Sequence, residues 1–413
     1  MKLQHSILLA ANIRPPAHAL IIHPLARALA CFLAHTLACT LRPWHKLPVK
    51  LALKTTIQAL IATLLASAVA HASELRVLVH SSFSLPKPLL AQFELDAGVK
   101  LAVIKAGDAG EMLNKLILTR AQPIADVVFG LDNALIGKAA AANVLDSYAG
   151  PAALGALATL QTSSVASPRS GSQAGIGAAT EAGSAQSWLL LPVDYGFVTI
   201  NYDRTWFDKN KLALPKTLDD LALPAYRNLL AVQNPATSSP GYAFMLATIA
   251  GLGEESAFSW WARMRANGAK VSKGWSEAYY TEFTRNGGTR PLVVSYASSP
   301  AAEVFYSKEK IAEPPTGSLM LKGGVFRQVE GVALVKGGAQ REAAQKFMEF
   351  MRSPAVQQAL QTEMWMFPAE PGTARVDAMR HAVEPVAFDN PSPGVIAEKG
   401  TGWVSRWTRV VLK

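Results

Sequence analysis

The chain has 413 residues, half of them hydrophobic and 17% charged, with a formal net charge of +10. Its first 72 residues hold seven Lys or Arg and no Asp or Glu, so the remainder carries only about +3 and gives little support to nucleic-acid binding. Both cysteines, Cys31 and Cys39, lie in that same stretch, which excludes disulfides and cysteine catalysis from residues 73–413.

Lys50 and Lys54 precede the apolar run Ile57 to Ala66, and the small-residue triplet Ala70-His71-Ala72 follows. A basic region, a short apolar region and an A-x-A site describe a secretory signal peptide, with cleavage expected after Ala72. The run is shorter than the roughly 20 residues a membrane span needs. The residues before Val49 read as an over-extended start, with a membrane anchor as the competing reading. A cysteine-free exported chain fits the bacterial periplasm. Residues 73–413 exceed what one core serves, so two lobes are expected.

From Leu75 the pattern alternates. Leu75–His80 reads as a strand, and Pro86 and Pro88 open a helix carrying Leu89, Leu90 and Phe93. Val99–Ile104 is a second strand, Glu111–Arg120 a helix, Ala125–Gly130 a buried strand and Leu135–Ala142 a helix. This alternation predicts a parallel α/β sheet with right-handed crossovers, whose ligands sit at the carboxyl ends of strands. His80-Ser81-Ser82 and Gly130-Leu131-Asp132-Asn133 lie at such ends.

Gln161–Gln186, rich in Ser, Ala and Gly, reads as a flexible surface insertion. Trp188–Tyr202 resumes as strand, followed by a strand at Leu229–Val232, a helix over Gly241–Ala250 and another over Ser256–Ala266. Leu292–Tyr296 is a buried strand returning toward the first lobe. The tail from Gln340 is helical, with Pro354 in the first turn of a following helix.

Enzymatic signals are thin. The chain has no G-x-S-x-G, Walker loop, H-E-x-x-H or strand-following G-x-G-x-x-G, and only His80 and His381 lie beyond the leader. Lys273-Gly274-Trp275-Ser276-Glu277-Ala278-Tyr279-Tyr280 and Ser295–Pro300 instead concentrate rings, hydroxyls and a carboxylate. A delocalised cation over such a ring gains about 0.5–2 kcal/mol per face, and one carboxylate fixes its orientation. Candidate rings are Trp275, Tyr279, Tyr280, Tyr296 and Trp365, and candidate acids are Asp132, Asp194 and Glu277; Trp206, Trp260 and Trp261 read as core. Asn234–Gly241 is a hydroxyl-rich turn into a helix, suited either to an oxyanion or to ordinary Ser capping.

These segments resemble the periplasmic thiamine-binding proteins of bacterial thiamine ABC transporters. The likeness is carried by Ala125–Asn133, Pro192–Phe197, Asn234–Gly241, Lys273–Tyr279, Leu292–Tyr296 and Trp365–Pro368. It implies an α/β, two-lobed type II periplasmic-binding-protein fold, each lobe a mainly parallel sheet flanked by helices, the lobes joined by two crossing strands near Asp194–Asn201 and Val293–Ser298. On this reading 1–72 is leader, 73–195 lobe 1 with the 161–187 insertion, 196–295 lobe 2, and 296–413 a return to lobe 1 plus C-terminal helices. The resemblance further implies a periplasmic monomer without a cofactor, no enzyme and no nucleic-acid binder. It would close over thiamine or its phosphates and deliver them to an inner-membrane ABC permease and its ATPase. Trp275, Tyr296 and Trp365 would enclose the rings, Asp132 would meet the ligand charge, and Ser238 and Ser239 would receive the hydroxyl or phosphate end. The family's first strand ends in Tyr-Asp-Ser-Phe, where this chain reads His80-Ser81-Ser82-Phe83, placing His80 and Ser82 at the site and replacing a stacking ring. Two rivals remain: ferric-iron capture through Tyr279, Tyr280, His80 and Asp132, and a periplasmic phosphatase using the hydroxyl turn.

Overall fold

The computed structural model describes residues 73–155, 177–178 and 187–413. The leader, its cleavage site and both cysteines lie outside the described residues, as does most of the 161–187 insertion. Strand β1 (Ser73–Val79) leads through α1 (Lys87–Ala97) to β2 (Val99–Lys105), and α2 (Ala109–Leu118) leads to β3 (Val127–Asp132). A proline in its first turn starts α1, and Gly98 ends it at φ 69°, a left-handed position that costs glycine nothing. Asp108 accepts from the Ala109 amide at the start of α2, which begins two residues before the Glu111 expected from the sequence. All six residues of β3 are buried, as a strand covered on both faces requires.

After α3 (Ile136–Ala141) and β4 (Leu145–Asp146), the two-residue strands β5 (Gly177–Ala178) and β6 (Ser187–Trp188) pair with each other. The long β7 (Leu191–Asp203) then runs into α4 (Arg204–Asn210). A second unit follows: β8 (Leu230–Gln233), α5 (Ser239–Leu252), α6 (Glu254–Ala266), β9 (Lys270–Ser272), α7 (Trp275–Glu277) and β10 (Leu292–Tyr296). The remainder comprises α8 (Ser299–Phe305), β11 (Thr316–Leu319), β12 (Phe326–Val335), α9 (Arg341–Met351), α10 (Pro354–Glu363), β13 (Phe367–Pro368) and α11 (Pro393–Val411).

Strand order is β2-β1-β3-β12-β7-β10-β8-β9. It divides into two matching halves. β2, β1 and β3 are parallel and edged by antiparallel β12, while β9, β8 and β10 are parallel and edged by antiparallel β7. The halves join where β12 pairs with β7. One crossing strand therefore lies where expected, in β7. The other differs: β10 pairs only with β8 and β7, and the strand shared between β3 and β7 is β12. All ten residues of β12 are buried, including Arg327, Gln328 and Glu330, so the alternation that announces a strand is absent.

Core packing explains the tryptophans. Trp260 and Trp261 are fully buried, as expected, while Trp206 is only half-buried against Phe207. Trp407 of α11 meets Trp261 at 5.4 Å between ring centroids, and Ala397 of the same helix abuts Gly137 of α3, where a Cβ would stand 3.0 Å away. Helix α11 thus touches both halves. Among the described residues no helix is long and apolar enough to cross a membrane.

Candidate functional site

The carboxyl ends of the strands in both halves converge. His80 follows β1, Asp132 ends β3, and Tyr296 ends β10. At the facing edge the halves touch: the Trp275 amide donates to Asp108 Oδ2 at 3.1 Å, the Glu111 amide donates to the Thr237 carbonyl at 3.1 Å, and Lys273 Nζ pairs with Glu111 Oε1 at 2.7 Å. Gly110 permits this approach, since a Cβ there would lie 2.7 Å from the Thr237 backbone.

Each ring is anchored. Trp275 donates from its indole Nε1 to Ser295 Oγ at 2.8 Å and stacks on Tyr279 with centroids 5.0 Å apart. Tyr296 donates to Gln328 Oε1 at 3.1 Å, and Gln328 Nε2 donates onward to Glu330 Oε1 at 2.8 Å. Glu330 faces Asp194 across the β12–β7 pairing, and its Oε2 lies 3.8 Å from His80 Nε2. Asp132 Oδ1 accepts from the Ala134 and Leu135 amides, which shapes the turn into α3. Its Oδ2 is buried and has no hydrogen-bond partner, as are both oxygens of Asp194.

Burial dominates the electrostatics. It pushes the Asp132 carboxyl up to about 7, and the nearby Asp108 adds to the rise while the two turn amides and the Ser239 hydroxyl oppose it. Burial likewise raises Asp194 to about 8 and carries Glu330 well above the ordinary carboxylate range, with Asp194, Asp132 and Asp108 reinforcing the latter. Burial pushes the Tyr296 phenol well up, and the charges of Glu330, Asp108 and Asp132 push it further. His80 goes the other way. Burial, helped by the Lys105 charge, lowers it to about 4, so it stands neutral beside Glu330 at neutral pH. The site is acid-rich, and its one imidazole brings no charge to offset that.

His80 packs against Gly130, whose φ of 98° suits only glycine and whose Cβ would fall 2.1 Å from His80 Cδ2. Gly130→Ala is expected to lower stability by about 1–3 kcal/mol and to move the imidazole. Thermal unfolding and the His80 ring NMR signals check both, and an unmoved His80 resonance contradicts the packing described.

The described contacts join His80, Asp132, Ser238, Ser239, Trp275 and Tyr296. Ser238, the N-cap residue of α5, makes no capping hydrogen bond with its side chain, and its buried hydroxyl is left without a partner close to Asp108, as Ser239 lies close to Asp132. Ordinary capping therefore does not account for these serines. Trp365 stands edge-on to Phe305 and Tyr306 at 5.3 and 5.7 Å, Tyr306 in turn acts on Tyr280 beside Trp275, and the neighbouring Met366 and Tyr296 both flank Gly196. Ser82 is exposed in the turn after β1. Glu277 is exposed and accepts from the Lys273 amide at 2.9 Å, so it organises its own turn. Tyr280, a candidate ring, is 59% exposed and edge-on to Trp275, while Tyr279 gives its hydroxyl to Glu303 at 2.8 Å.

Asp108, Gln328 and Glu330 escaped sequence reasoning. Asp108 precedes an apolar helical run, the usual place of an N-cap, which was a usable signal. Gln328 and Glu330 lie two apart on one face of a strand whose pattern hid it.

Residues 122–391 match the model of the bacterial extracellular solute-binding protein family. The chain is 30% identical over 348 residues to the thiamine-binding periplasmic protein of Escherichia coli, covering 82% of this chain and 94% of that one. It is 27% identical to the thiamine-binding periplasmic protein of Brucella melitensis, over 76% and 84% of the two chains. A solved periplasmic thiamin binding protein superposes with a TM-score of 0.66 at 28% identity, covering 83% of this chain and 98% of the other. A ferric binding protein from Campylobacter jejuni superposes at a TM-score of 0.59 and 18% identity over 81% and 99%, a likeness of fold alone.

Proposed function

The chain belongs to the bacterial extracellular solute-binding proteins, and from that premise we propose that it binds thiamine in the periplasm. The two lobes close over the vitamin and present it to an inner-membrane ABC permease with its ATPase. The role is capture and delivery, with no bond made or broken. The observation that carries the ligand assignment is the set of buried carboxyls, Asp132 and Asp194 with unpartnered oxygens, beside the anchored Trp275 and Tyr296 rings. Thiamine carries a permanent thiazolium charge. A desolvated site with ring faces and acids complements such a cation.

Ring faces are worth about 0.5–2 kcal/mol each, whereas nanomolar binding needs about −12 kcal/mol. Closure from both sides is therefore part of the mechanism. The α2 edge already meets the Thr237 and Trp275 segments, and a ligand bridging the halves shifts the population toward that arrangement. Asp132 would face the ligand charge, and Ser238 and Ser239 its hydroxyl end. His80 would replace a ring face with a neutral imidazole. Trp365 would enclose the rings together with Trp275 and Tyr296, and the exposed Ser82 would join the ligand at the periphery.

Calorimetric titration with thiamine, thiamine monophosphate and thiamine diphosphate tests the proposal. Saturable one-to-one heat with thiamine is expected, and its absence refutes the assignment. Ferric capture finds less support. Tyr279 is committed to Glu303, Tyr280 is exposed, and among the described residues no three His, Asp or Glu side chains are arranged to hold a metal ion. Purified protein is expected to stay colourless with ferric citrate.

A further inference from the structure

Asp194 and Glu330 are direct neighbours across β7 and β12, the two strands that join the lobes. Both are at least nine-tenths buried, and no group other than Glu330 reaches either Asp194 oxygen. Through Gln328, Glu330 is wired to the Tyr296 hydroxyl. We propose that this carboxyl pair is a positioning group of the binding site, holding Tyr296 through Gln328 and keeping one shared proton that leaves to solvent when a cationic ligand enters. The proposal rests on the thiamine reading for the identity of that cation.

The charge balance requires such a proton. Facing the pair are Asp132 from β3, Asp108 at the start of α2, Tyr296 from β10 and His80 after β1. Tyr242 of α5 lies near Asp132. Lys105 donates to the Ser81 carbonyl, and Arg327 leaves β12 on the face opposite Glu330, over the Tyr195 and Phe388 rings. Four carboxylates this close and this dry cannot all ionise, and two that share a site titrate as a unit, one of them far above its usual range. Burial, with mutual repulsion for Glu330, raises both members, Asp194 to about 8. A permanent positive charge reverses that balance. The ligand supplies the charge, the carboxyl O–H bond breaks, and the proton passes to water.

Two measurements test this. Infrared spectra of the ligand-free protein at pH 7 should show protonated carboxyl absorption that includes a band lost in Glu330→Gln and Asp194→Asn, while the contribution of Asp132 remains. Thiamine titration at pH 7 in buffers of differing ionisation heat should report about one proton released per ligand, with affinity falling up to tenfold per pH unit on acidification. Both variants should lose most of that release and flatten the pH profile, whereas Asp132→Asn retains the release. Absence of the band overturns the proposal, as does unchanged release in both variants, or release lost only in Asp132→Asn. If thiamine gives no heat at any pH, the ligand reading falls and takes the proton release with it. Tight binding without release overturns this inference alone.

Discussion

Trp275→Ala and Tyr296→Ala each lower thiamine affinity at least tenfold, about 1.4 kcal/mol or more, in calorimetric titration. The size follows from what each ring is attached to. Trp275 is fixed at three points: its amide on Asp108, its indole on Ser295 and its face on Tyr279. Replacing it removes a preorganised surface and loosens the edge at which the lobes meet, so both stacking and closure suffer. Tyr296 stands among Asp108, Asp132 and Glu330, and its loss opens that acidic cluster to water, weakening its hold on a cation. Tyr296→Phe should retain more affinity than the alanine, because the ring stays and only the link to Gln328 goes. Unchanged isotherms for both alanine variants would remove these residues from the site.

The largest stability effect is expected at Trp407→Ala, a loss of about 3–5 kcal/mol. The indole is fully buried and packs edge-on against Trp261, which itself meets Trp260 and Phe244. The adjoining Trp261 cannot readily move into the void, because it is held in turn by Trp260 and Phe244. Urea unfolding should show a lower midpoint with the slope little changed. A shift below about 1 kcal/mol would mean that α11 contributes less to the core than its burial implies.

Much of this was legible in the residues. Strong periodicity located β1, β2, α2, β8, α6 and β10 within a few positions, because each pairs one clear period with a Gly, Pro or Asp boundary. Asp132, Trp275 and Tyr296 stood out as polar or aromatic groups at the ends of apolar strands. What remained hidden had physical reasons. β12 is buried on both faces yet carries Arg327, Gln328 and Glu330, so polarity pointed away from the core while burial did not. The Asp194–Glu330 partnership links residues from distant parts of the chain, and no local pattern announces a pairing that long. Glu277 misled because a carboxylate beside a Trp reads the same whether it faces a ligand or caps its own turn.

The order of β12 in the chain has a consequence for export. The sheet that starts with β1 is closed by a strand made more than a hundred residues later; the Asn133 side chain, for example, donates to the carbonyl of Arg327, 194 positions on. The half that starts with β1 cannot complete itself from contiguous sequence, whereas β7, β8, β9 and β10 all come from residues 191–296, and contacts as distant as β3 to β12 form slowly. In a nascent chain built this way the first half stays unfinished until β12 is made, which keeps that part threadable through a secretion channel until the later segments arrive.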